Sequence, residues 1–100
     1  MEVKVNKENG KATAYLIGRL DTPASQEIAQ HMEALGEYAD GTIIIDCKEL
    51  SYISSSGLRL FLCLRKTAIE KGGQIIIKDI NDDIHGVFMM TGFLNLFDIR

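Results

Sequence analysis

The sequence predicts a small single-domain α/β fold spanning residues 1–100, a mixed sheet with helices packing on it in the order β-β-α-β-α-β-α-β. An Asn9-Gly10 turn joins two extended segments at the N-terminus, the signature of an antiparallel hairpin. Two isoleucine-rich runs, Thr42-Ile43-Ile44-Ile45-Asp46 and Gln74-Ile75-Ile76-Ile77-Lys78, are separated by a helix-length crossover, which makes them parallel neighbours in a β-α-β unit. Amphipathic segments alternate with these strands, as in a sheet layered with helices.

Each element follows from local chemistry. Val3 and Val5 alternate with charged residues, and Ala12 to Ile17 resumes extended character after the turn. Gly18-Arg19-Leu20-Asp21 closes the second strand. Thr22-Pro23 then supplies an N-cap with proline at the first helical position. Ala24, Ile28, Met32 and Leu35 share one stripe of that helix, Gln26, Glu27, Gln30 and Glu33 point elsewhere, and Gly36 or Asp40-Gly41 ends it. Thr42 to Asp46 has the continuous apolar character of a central strand covered on both faces or nearly so. From Leu58 to Lys71, Phe61, Leu64 and Ala68 centre one helical face flanked by Leu58 and Leu60, with Arg59, Cys63, Lys66 and Glu70 opposite. Lys71-Gly72-Gly73 stops this helix. Asn81-Asp82-Asp83 caps a third, in which Ile84, Val87 and Phe88 share a face before Thr91-Gly92, and Leu94 to Ile99 forms a last edge strand.

Composition excludes several classes of partner. The 100 residues are 46% hydrophobic and carry a formal net charge of −3, without the basic face that a phosphate backbone or an anionic membrane attracts. No apolar run spans a bilayer, and Met1-Glu2-Val3-Lys4-Val5 alternates like a strand rather than a signal peptide, so a cytoplasmic protein is expected. Cys47 and Cys63 lack C-x-x-C spacing, and neither His31 nor His85 pairs with them at ligand spacing. Reduced thiols, no metal and no cofactor are expected.

No phosphate-cradling or nucleophile-elbow motif is present, and the two histidines lie in unrelated helices. A catalytic role is not expected. The informative stretch is Leu50-Ser51-Tyr52-Ile53-Ser54-Ser55-Ser56-Gly57-Leu58-Arg59, a strand-to-helix turn carrying three serines. Serine there is an ordinary N-cap. A phosphate in the same place meets unpaired amides at the positive end of a helix and adds a charge of about −2. Asp21, Asp46 and Glu49 are the carboxylates of interest: Asp46 follows the central strand and Asp21 ends a strand of the same sheet, so these two are expected to gather near the serines, and the alternative for all three is turn formation and capping.

Taken together, the Gly18-Arg19-Leu20-Asp21 strand exit, the isoleucine strand into Asp46, the Leu50–Leu58 serine turn, Gly72-Gly73 before a strand and the Thr91-Gly92-Phe93 ending resemble the sulfate-transporter and anti-sigma-factor antagonist (STAS) domain, at the length of the stand-alone bacterial antagonists. The resemblance implies a protein that binds an anti-sigma factor which is also a serine kinase, is phosphorylated in this turn, is reset by a cognate phosphatase, and so regulates transcription indirectly. It places the phosphoacceptor at Ser55, with Ser54 where the family commonly has aspartate and Ser56 next to it. Asp21 matches the family aspartate beside the turn. The implied docking surface comprises Asp21, Ser54, Ser55, Ser56, Gly57, Leu58 and Arg59. The alternative reading is a STAS module that senses a nucleotide or small anion, or acts as a scaffold, without phosphorylation. Relatives continue past the position of Arg100 into a C-terminal helix. Apolar surface near Leu94, Leu96 and Phe97 is therefore expected to be exposed, with a weak homodimer or a partner contact in place of that helix.

Overall fold

A computed structural model describes residues 1–100. Its strands are β1 (Glu2–Glu8), β2 (Lys11–Leu20), β3 (Thr42–Ile53), β4 (Gln74–Lys78) and β5 (Asp98–Ile99), and its helices are α1 (Thr22–Leu35), α2 (Ser55–Lys71) and α3 (Asp82–Thr91). The sheet order is β1-β2-β3-β4-β5. β1 runs antiparallel to β2, and every other pairing is parallel. Asn9 and Gly10 both have positive φ, 42° and 77°, as the tight turn that matches hairpin twist requires. This is the mixed, helix-layered sheet read from the sequence.

Side-chain alternation builds the core. Ala12, Ala14 and Leu16 of β2, Ile43, Ile45 and Cys47 of β3, and Ile75 and Ile77 of β4 are buried with the expected stripes of the helices in one hydrophobic cluster. Ile76, although 5% exposed, stands outside that cluster, on the opposite side of the sheet. All three helices thus cover the same face. The expected double covering of the central strand is corrected accordingly: Ile44 and Asp46 on its other face are only half-buried.

Four element boundaries also differ from expectation. Asp21, not Thr22, caps α1, its Oδ1 accepting the Ala24 amide at 3.0 Å. Pro23 loses nothing one position further in, because its missing donor is still one of the unpaired ones. β3 continues to Ile53, held along the whole length of β2 through two shifts of register, so Leu50 to Ile53 are strand rather than turn. α2 begins at Ser55 instead of Leu58 because Ser54 already caps it. The last strand shrinks to Asp98–Ile99, preceded by a 3-10 turn over Phe93–Asn95. The cause is an aromatic cluster: Phe93 lies 5.6 Å from Phe88 and 5.5 Å from Phe97, and Phe61 packs edge-on against both Phe88 and Phe97. Coiling drives both phenylalanines inward, where such pairs add to simple burial. Of the apolar patch expected at this end, Leu96 is exposed and Leu94 half-buried, but Phe97 belongs to the core.

Cys47 is fully buried and Cys63 exposed, both as free thiols. Burial, reinforced by the carboxylates of Asp46 and Asp79, pushes the Cys47 thiol up to about 12, so it stays protonated and unreactive near neutrality. No helix is long and apolar enough to cross a membrane.

Candidate functional site at the carboxyl ends of the parallel strands

The parallel strands β2, β3 and β4 each deliver the chain to a helix capped by a side chain. Asp21 caps α1, Ser54 caps α2 and Asn81 caps α3. Two hydrogen bonds tie the caps into one surface. The Ser54 amide donates to the carbonyl of Leu20 at 2.8 Å, which sets Ser54 beside Asp21. The Asn81 Nδ2 donates to the carbonyl of Leu50 at 3.0 Å, drawing the start of α3 against the extension of β3. Three positive helix ends therefore open at one end of the sheet. The first turn of α3 carries Asp82 and Asp83, whereas the first turns of α1 and α2 carry no acid.

Within the serine run the three hydroxyls are unequal. Ser54 is half-buried, and its Oγ accepts the Gly57 amide at 3.1 Å, so it works as the cap. Ser55, at the first helical position, is exposed and its hydroxyl has no partner within the chain. Ser56 is half-buried. Gly57 is buried against the preceding strands: a β-carbon there would stand 2.7 Å from Leu20 Cγ and 3.0 Å from Ile53 Cγ1. The glycine lets the first turn of α2 settle onto β2. Leu58 is buried beside it, while Arg59 projects into solvent.

The structure brings together Asp21, Ser54, Ser55, Ser56, Gly57, Leu58 and Arg59, but not Asp46 or Glu49. Asp46 is paired between Tyr15 and Lys78, well back along β3, and its Oδ1 accepts the Lys48 amide at 3.0 Å. Glu49 is exposed opposite Ile17. Both miss the serines because β3 runs on to Ile53. His31 and His85 are exposed on different helices. Sequence reasoning missed Arg19, Tyr52 and the bridging role of Asn81. Their signal, a pairing of Arg19 with Tyr52 across β2 and β3, is readable only once the length of β3 is known.

A helix-layered sheet led by a hairpin, with a capped serine turn after its central strand, defines a STAS-type module. The family model described as the STAS domain matches residues 2–100, and the chain belongs to that family. An anti-sigma F factor antagonist of Paenibacillus polymyxa is 27% identical over 100 residues, covering 99% of this chain and 86% of its own length. Among solved structures, an anti-sigma factor antagonist from Mycobacterium paratuberculosis superimposes with a TM-score of 0.81 at 16% identity, over 99% of this chain and 84% of its own. The unphosphorylated form of the anti-sigma factor antagonist SpoIIAA gives 0.77 at 20% identity, over 99% and 87%. The phosphorylated form of SpoIIAA from Bacillus gives 0.76 at 21% identity, over 99% and 91%. These structural likenesses carry the fold.

Proposed function

We propose that this chain is an anti-sigma factor antagonist, a non-enzymatic cytoplasmic module that docks on an anti-sigma factor through Asp21 and the Ser54–Arg59 turn and is released when Ser55 is phosphorylated. The observation that carries this reading is the inequality of the serines: of the three, only Ser55 is both exposed and without a hydrogen bond to its hydroxyl. The existence of SpoIIAA in both phosphorylated and unphosphorylated forms supports it.

The chemistry belongs to the partner. Ser55 Oγ attacks the γ-phosphorus of ATP held by a kinase-type anti-sigma factor, its proton passes to a base on the kinase, and ADP leaves. The chain contributes presentation. Ser54 holds the helix end in place while Ser55 stands clear of it, and a cognate phosphatase restores the hydroxyl. Phosphate at Ser55 sits near the positive end of α2, which tolerates it. The fold therefore survives modification, and the effect falls on the docked partner, whose surface must now desolvate about two added negative charges.

The clefts of about 440 and 270 Å3 are lined by other residues than Ser54, Ser55 and Ser56, and the exposure of Ser55 favours a surface that docks a protein. The test is phosphosite mapping after incubation with ATP and the kinase-type anti-sigma factor encoded nearest this gene, with Ser55→Ala as control. Phosphate on Ser55 accompanied by complex release is expected. Binding without transfer would sink the switch while leaving the docking role.

A further inference from the structure

Arg19 and Tyr52 are register partners across β2 and β3, one step before Leu20 and Ile53, whose side chains enter the core. Both side chains are exposed where Leu20 and Ile53 are buried, at the same strand ends that lead into the serine turn. The Arg19 guanidinium lies 4.4 Å from the centroid of the Tyr52 ring, which is 41% exposed. The chain's two ion pairs, Lys4–Glu2 and Arg100–Asp98, leave that guanidinium without a carboxylate partner. Beside the pair is a cleft of about 270 Å3 with Ile53, Ile84 and Val87 in its lining and Asp83 at the first turn of α3.

An exposed tyrosine and arginine in contact are the residue types that dominate binding at protein interfaces. Contact with the ring restrains the guanidinium in advance, so less side-chain freedom is lost when its N–H fork is engaged. The complement of an unpaired, restrained guanidinium is a planar carboxylate that accepts two parallel hydrogen bonds. Asp83 in the same cleft limits how much negative charge it accepts, which favours a single carboxylate over a doubly charged phosphate.

We propose that Arg19, in contact with Tyr52, receives an acidic side chain of the protein partner, so that the docking surface continues from the serine turn along the strand ends into this cleft. The proposal rests on the antagonist reading and adds a second point of contact to it.

Isothermal titration of wild type, Arg19→Ala, Arg19→Lys, Tyr52→Leu, Ser55→Asp and Lys11→Ala against the purified kinase-type anti-sigma factor encoded nearest this gene, at low and high salt, tests it. Melting curves verify that each variant folds. At low salt Arg19→Ala is expected to bind at least tenfold more weakly than wild type, Arg19→Lys to fall between the two, Tyr52→Leu to lose severalfold, and Lys11→Ala, at the far end of β2, to match wild type. High salt should narrow the gap between wild type and Arg19→Ala. Arg19→Ala binding like wild type while Ser55→Asp is weakened overturns this proposal and leaves the antagonist reading standing. Absence of binding by the wild-type chain overturns that reading and this proposal with it.

Discussion

Gly57 rests directly on Leu20: a β-carbon at Gly57 would come within 2.7 Å of the Leu20 Cγ and 2.9 Å of its Cδ2. The Cγ is a branch point close to the backbone and cannot swing aside as a chain end could. A contact so tight makes the position of α2, and with it the presentation of Ser55, depend on β2. Gly57→Ala is therefore expected to destabilise the fold by about 1–3 kcal/mol as overpacking, despite alanine's better helix propensity. Urea unfolding measures this, and a variant as stable as wild type would show that the helix can lift at no cost.

Removing the cap of α1 isolates a different term. Asp21→Ala should lower stability by about 1 kcal/mol by orphaning the Ala24 amide, whereas Asp21→Asn, which caps equally well, should stay within a few tenths. If both variants lose the same amount, the carboxylate's charge and not its hydrogen bond is what matters.

Modification of Ser55 should be nearly silent in the unbound protein. The phosphate lies at the first position of α2, where an anion gains about 0.3–1 kcal/mol from the helix dipole, partly offset by the neighbouring Asp21 carboxylate. The melting temperature of phosphorylated chain, or of Ser55→Asp, is expected to stay within a few degrees of wild type while partner binding falls. A large drop in melting temperature would mean that the switch acts by unfolding the turn.

Alkaline stability should report Cys47. Its thiol is raised from an ordinary value of 9.0 to about 12 by burial and by Asp46 and Asp79. Between those values the unfolded chain loses a proton that the folded chain keeps. This group's contribution thus falls as pH rises through that window, approaching about 1.4 kcal/mol per pH unit for a group so fully protected. Cys47→Ala is expected to be less stable at pH 7 through lost packing but to lose stability less steeply above pH 9. Parallel slopes for the two proteins would refute the assignment.

Elements defined by local signals were legible in the sequence. The Asn9-Gly10 hairpin, the Ala24-Ile28-Met32-Leu35 stripe, the Gly72 stop and the Asn81 cap all stand where local chemistry puts them. What failed depended on distant partners. The extension of β3 through Leu50 to Ile53 exists because β2 offers a matching edge, and neither segment advertises this alone. Asp46 lies away from the serine turn for the same reason and instead takes the local role, accepting the Lys48 amide. The last strand misled for a similar reason, since alternation in Leu94 to Ile99 says nothing of the waiting phenylalanines Phe61 and Phe88. The serine turn was found at once, but which hydroxyl caps and which stands free is a matter of three-dimensional placement.

Because the cap is a serine and its neighbour's hydroxyl makes no internal bond, the proposed switch assigns structural upkeep and regulatory chemistry to adjacent but separate residues. Position 55 can then change identity without a tax on folding, and threonine, alanine or an acidic residue should all be accommodated there by the same scaffold. Tuning or abolishing the response would thus need one codon, whereas re-engineering a turn in which one hydroxyl did both tasks would demand compensating changes elsewhere. Such a division makes the module readily evolvable: copies of it can diverge in how they are controlled long before they diverge in shape.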